Sequence, residues 1–75
     1  MSSNIPILSA KEVIKALQKL EFIKVSQKGS HAKYKNLYTH RICIVPIHKQ
    51  IARGTLISIL QQANIELEEF LNQLN

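Results

Sequence analysis

One imidazole stands in a short run whose residue types suit phosphate chemistry: Gly29-Ser30-His31-Ala32-Lys33-Tyr34-Lys35. Polar and apolar residues alternate through it, the period of a strand half-buried in a sheet. Side chains two apart share a strand face, so His31, Lys33 and Lys35 project together while Ala32 and Tyr34 project the other way. A titratable ring in a row of cations is what a surface needs to receive phosphates and move a proton. Solubility alone gives no reason for a histidine there. Gly29 can take a positive φ or let a phosphate come close, and Ser30 offers a hydroxyl beside it.

The charge distribution narrows the chemistry. The chain of 75 residues has a formal net charge of +5 and a pI near 9.7, which points to an anionic partner. Residues 22 to 65 carry seven Lys or Arg, all three histidines (His31, His40, His48) and no acidic residue, and aspartate is absent from the whole chain. Carboxylate-dyad hydrolysis and two-metal phosphoryl transfer need acidic groups converging on one site, and this segment supplies none. A Ser-His-Asp triad is disfavoured for the same reason, although Glu12 or Glu21 could approach His31 in space. If the chain is an enzyme, its chemistry is expected to be histidine-based, with no metal and no cofactor.

The totals agree with a small soluble protein. One domain spanning residues 1–75 is expected, with no room for a cofactor-binding domain. Mean hydropathy is -0.04, and no apolar run nears the roughly 18 residues of a membrane span. Met1 to Ser9 has neither a basic n-region nor a long apolar stretch, so no export signal is read. The single cysteine, Cys43, has no disulfide partner and no companions for zinc, which fits a reducing cytoplasm and a packing role.

The elements that must position these residues can be taken in order. Leu8-Ser9-Ala10-Lys11-Glu12-Val13 combines a capping box with a hydrophobic staple, so a helix is expected from about Ala10 to Leu20. Its buried stripe is Ala10, Val13, Ile14, Leu17 and Leu20. Phe22 to Lys28 reads as a first strand with Phe22, Ile23 and Val25 as apolar contacts. Gly29 turns the chain into a second strand, Ser30 to Asn36. Leu37-Tyr38-Thr39-His40 connects to a third strand, Arg41 to Val45, stopped by Pro46. Short connections imply an antiparallel meander. Leu56, Ile59, Leu60 and Ala63 have helical spacing, so a second helix begins near Arg53 and puts Arg53, Gly54 and Thr55 in a first turn able to receive an anion. Asn64 suits a left-handed stop, and Leu67, Phe70, Leu71 and Leu74 define a short third helix. Helices covering one sheet face leave the other, with His31, Lys33 and Lys35, open to solvent.

Gly29-Ser30-His31-Ala32-Lys33-Tyr34, then Val45-Pro46-Ile47-His48, then Gly54-Thr55-Leu56-Ile57-Ser58-Ile59-Leu60, resemble the HicA family of toxin ribonucleases over roughly residues 8 to 74. The resemblance implies an α+β, double-stranded-RNA-binding-domain-like fold. It also implies an endoribonuclease that cleaves messenger RNA and is neutralised by a HicB-like antitoxin, with His31 at the position of the family's catalytic histidine and Gly29 and Ser30 at its motif positions. Where family members commonly have glycine closing the second helix, this chain has Asn64, which tolerates the same conformation. Lys28, Lys33, Lys35 and Arg41 are then expected to hold the RNA backbone, joined by Arg53, Gly54 and Thr55. His48 is read as a contact to RNA or antitoxin or a support for the second helix, and it is the only other histidine in these motifs that could carry a second proton. The competing reading is a non-catalytic RNA-binding module of the same fold.

Overall fold

In a computed structural model, which describes residues 5–74, the chain runs helix, three strands, helix, short helix: α1 Ala10–Lys19, β1 Phe22–Lys28, β2 His31–Asn36, β3 Ile42–Pro46, α2 Arg53–Ala63 and α3 Leu67–Leu71. The first four residues of the N-terminal stretch read for an export signal lie outside the described residues. The architecture is α+β, consistent with the double-stranded-RNA-binding-domain-like layout. The strands form one antiparallel sheet in the order β1-β2-β3.

The expected capping box is formed. The Glu12 amide donates to Ser9 Oγ at 3.1 Å and the Ser9 amide to Glu12 Oε1 at 2.9 Å. Leu8 and Val13, the staple pair, are both buried. The helix buries Ala10, Val13, Ala16 and Leu17, with Ile14 and Leu20 half-buried. It ends one residue earlier than expected, because Glu21 at φ 72 turns the chain through the left-handed region into β1.

The helices cover one sheet face. Phe22, Ala32, Tyr34, Cys43 and Val45 meet α1, α2 and α3 through Leu17, Leu56, Ile59, Leu60 and Phe70, which form one core with them. In β2 burial alternates without exception from His31 to Asn36, so His31, Lys33 and Lys35 lie on the uncovered face. Lys28, Ser26 and Ile23 of β1 flank them on one side, and Pro46, Ile44 and Ile42 of β3 on the other.

Two strand expectations need correction. Ile23 and Val25 were expected to pack, yet each is 45% exposed. A register shift between Lys24 and Ser26 inserts Val25 as an extra residue, and the bulged strand then buries only Phe22. The third strand runs Ile42–Pro46 rather than Arg41 to Val45. The Asn36 amide donates to the Arg41 carbonyl at 2.9 Å and the Ile47 amide to the Ser30 carbonyl at 2.7 Å. Alternation between those two points turns the nitrogens of Ile42, Ile44 and Pro46 to the outer edge, where the missing proline N–H costs no ladder bond.

Asn36 is the buried polar residue of the core. Its Nδ2 donates to the Leu20 carbonyl at 2.9 Å, and its Oδ1 accepts the amides of Tyr38 and Thr39, each at 2.8 Å. One side chain thus ties the end of α1 to the β2–β3 turn. Asn64 sits at φ 58 and closes α2, with the Ile65 amide donating to the Leu60 carbonyl at 2.9 Å.

Candidate functional site

His31 opens β2 directly after a two-residue hairpin, Gly29-Ser30, in which Gly29 has φ +58. A side chain is strained at that φ, and a Cβ there would otherwise meet open space, so the glycine answers a backbone need rather than a close approach within the chain. Gln27 stiffens the hairpin: its Nε2 donates to the Gly29 carbonyl at 3.0 Å, and its Oε1 accepts from Lys24 Nζ at 2.9 Å. Register puts Lys28 beside His31 on one side and Pro46 on the other.

Two open clefts meet at this imidazole. The first, about 460 Å³, lies on the sheet face and is lined by Ser26, Gln27, Lys28, His31, Lys33 and Ile44. The second, about 470 Å³, lies where the sheet end faces α2, with His31, Pro46, His48, Gln50, Thr55 and Gln62 on its walls. One wall is thus cationic and the other carries neutral polar groups and a second imidazole.

His48 reaches the second cleft from residues 47–52, a segment pinned at several points. The Ile47 amide donates to Ser30 O, the His48 amide to Pro46 O at 3.0 Å, the Ala10 amide to His48 O at 3.0 Å, and the Ile51 amide to Leu8 O at 2.6 Å. Its main chain is therefore held between the sheet end and the start of α1, while its side chain is exposed. No described group hydrogen-bonds the imidazole of His31 or of His48.

The remaining expected residues divide. Thr55, half-buried in the first turn of α2, lines the second cleft. Gly54 beside it faces open space. Arg53 turns away, its Nε donating to the Ile5 carbonyl. Lys35 and Arg41 belong to the other end of the sheet: Lys35 lines a separate concavity with Ile23, Val25, Leu37 and His40, and Arg41 precedes β3. Around His31 the structure gathers Lys28, Gly29, Ser30, Lys33, His48 and Thr55, and it leaves Lys35, Arg41 and Arg53 outside that group.

Sequence reasoning missed Ser26, Gln27, Gln50 and Gln62. Ser26 faces the cleft because of the bulge, which no local pattern announces. Gln62 accepts the Ile44 amide on Oε1 at 2.9 Å, and its Nε2 donates to Ser58 Oγ at 3.3 Å. That bond bridges 18 residues of sequence and closes part of the β3 edge, a link that only packing of α2 reveals.

Behind the sheet, burial pushes the Cys43 thiol up to about 11. Burial, and to a lesser extent the neighbouring Cys43, raises Tyr34 as well. Neither group is poised as a nucleophile, since a reactive thiol needs an exposed setting that favours its anion. Among the described residues there is no group of three or more His, Cys, Asp or Glu able to hold a metal ion. No helix among them is long and apolar enough to cross a membrane.

Comparison with known proteins adds one finding. The family model described as "HicA toxin of bacterial toxin-antitoxin" matches residues 10–65. That span begins at the first residue of α1 and includes the sheet, the hairpin with His31, the segment with His48 and all of α2. No curated protein matches the chain.

Proposed function

The chain belongs to the HicA toxin family of bacterial toxin-antitoxin systems, and from that premise we propose that it is a metal-independent endoribonuclease that cleaves messenger RNA in the cytoplasm and is neutralised by a HicB-like antitoxin. The observation that carries the reading is an exposed imidazole, His31, at the meeting of two clefts, with Lys28 directly across the strand pair and Lys33 two residues along the same face. RNA supplies its own nucleophile, the ribose 2′-hydroxyl, so the protein needs to move protons and hold charge.

In this reading the phosphodiester lies over the hairpin. His31 exchanges a proton with the reacting oxygens, a contribution worth about 10²–10⁴-fold. Lys28 and Lys33 stabilise the charge that grows on phosphorus-bound oxygens, Gly29 and Ser30 shape the hairpin against the phosphate, and Thr55 and Gly54 approach from α2. Lys35 and Arg41, farther along the open face, hold the backbone beyond the scissile bond. Arg53 steadies the segment that leads into α2 rather than the phosphate itself. No cofactor takes part.

The test is cleavage of a single-stranded RNA in excess EDTA by the wild-type protein beside His31→Ala, with the fragment ends resolved. Cutting that survives EDTA and falls about 100-fold or more in the variant, leaving 2′,3′-cyclic phosphate ends, is the expected result. If the wild type binds RNA and leaves it whole, or both proteins cut equally, the protein is a binding module and His31 has no chemical role.

A further inference from the structure

We propose that His48 is the second proton-transfer residue of the site, acting on the opposite side of the phosphate from His31. The proposal deepens the ribonuclease reading above and rests on it. Transesterification at RNA needs two proton movements. As the 2′-oxygen bonds to phosphorus its proton passes to a base, and as the bond from phosphorus to the 5′-oxygen breaks that oxygen takes a proton from an acid. The products are a 2′,3′-cyclic phosphate and a 5′-hydroxyl, and the two protein groups end with their protonation exchanged. One histidine cannot be at both oxygens, because in an in-line displacement the attacking 2′-oxygen and the leaving 5′-oxygen lie on opposite sides of the phosphorus.

The lining of the second cleft supplies one further group suited to that task. Among its residues only His31 and His48 are of a type that serves as a general acid or base, and the others are Ile44, Pro46, Gln50, Ile51, Ala52, Thr55 and Gln62, apolar groups, amides and a hydroxyl. No carboxylate and no lysine lines it. His40, the third histidine, is at the far end of the sheet with Leu37 and Lys35. A histidine that served only to brace α2 would be buried or bonded to it, but His48 is exposed, and the bonds of this residue to Pro46 and Ala10 use its backbone. Its position is therefore fixed without use of the imidazole, an arrangement that suits a group needed elsewhere.

The experiment compares two substrates that differ in one atom. In an ordinary RNA linkage the leaving 5′-oxygen needs the acid; with sulfur at that position the leaving thiolate is stable enough to depart unprotonated. Wild type, His48→Gln and His31→Ala are measured on both linkages, with thermal melts to establish that each variant is folded. The expected result is a loss of about 100-fold or more in His48→Gln on the oxygen linkage, with one of the two variants, and only one, recovering to within about tenfold of wild type on the sulfur linkage. The variant that recovers has lost the acid, so the same data assign the direction of transfer. The proposal is overturned if His48→Gln, folded, cuts the oxygen linkage within about threefold of wild type, or if both or neither variant recovers on sulfur. Failure of the ribonuclease reading looks different: the wild type then cuts neither linkage, and the role of His48 falls with it.

Discussion

The Cys43 side chain has no accessible surface, and the sheet and α2 that enclose it leave its thiol protonated up to about pH 11, against an ordinary 9.0. The unfolded chain loses that proton near pH 9, so between about pH 9 and 11 folding must take up a proton the unfolded chain has lost. The raised native value thus contributes stability that is intact below pH 9 and is lost as pH rises through 11, about 1.4 kcal/mol per pH unit at most. Tyr34 shifts in the same direction. Two outcomes are expected. The native protein at pH 8 resists thiol reagents that label it at once in denaturant. In addition, the loss of stability from pH 8 to 11, followed by urea unfolding, is smaller in Cys43→Ala than in the wild type. At this scale the sequence was readable wherever neighbours two apart decide the outcome. Alternation alone separated His31, Lys33 and Lys35 from Ala32 and Tyr34. It failed for Asn36, which alternation assigns to the core face without saying that its amide has three backbone partners there.

Elements were legible where their ends carry their own chemistry. The Ser9–Glu12 box and the left-handed Asn64 stop are local, and both formed as expected. Glu21 takes the same left-handed conformation as Asn64 without any residue preference to announce it. The bulge at Val25 is equally silent, because a one-residue insertion is set by the partner strand rather than by the strand itself. Asn36 is the element-scale fastener: Leu20 carbonyl on one side, Tyr38 and Thr39 amides on the other. Replacement by alanine removes those three bonds and is expected to destabilise the fold by about 2 kcal/mol, since each net bond is worth about 0.5–1.5 and the exposed turn can turn to water in part. With a urea slope near 1 kcal/mol per molar for so small a domain, the midpoint should fall by about 1–2 M at unchanged slope. A midpoint within about 0.3 M of wild type would mean that the β2–β3 turn holds its shape without the side chain.

For the whole molecule, the fold converts a linear charge segregation into a spatial one. Glu12, Glu68 and Glu69 belong to α1 and α3, the helical layer, where Lys11, Lys15 and Lys19 of α1 offset them, while Lys28, Lys33 and Lys35 lie on the uncovered sheet face with no carboxylate among its strands. Net charge and the acid-free stretch of residues 22 to 65 were visible in the sequence. That His48 is carried to the same cleft as His31 was not, because it depends on bonds from residues 47–52 to Leu8, Ala10 and Ser30, contacts made between distant parts of the chain. If the open face is where RNA lies, its affinity must come largely from counterions released by these lysines. For a single strand the logarithm of the binding constant then falls against the logarithm of salt with a slope of about −0.7 per phosphate neutralised. Measured on His31→Ala, so that the RNA stays whole, the added triple change Lys28→Ala, Lys33→Ala and Lys35→Ala should make the slope shallower by about 2. Lys15→Ala, exposed on α1, removes a charge of the same sign from the helical layer and should leave the slope unchanged. Weaker binding with the same slope change per charge removed, about 0.7 for Lys15→Ala against about 2 for the triple change, would mean that RNA answers to net charge alone. In that case the row of cations beside His31 does not steer the phosphates, and proton transfer at this hairpin would lack the backbone grip it needs.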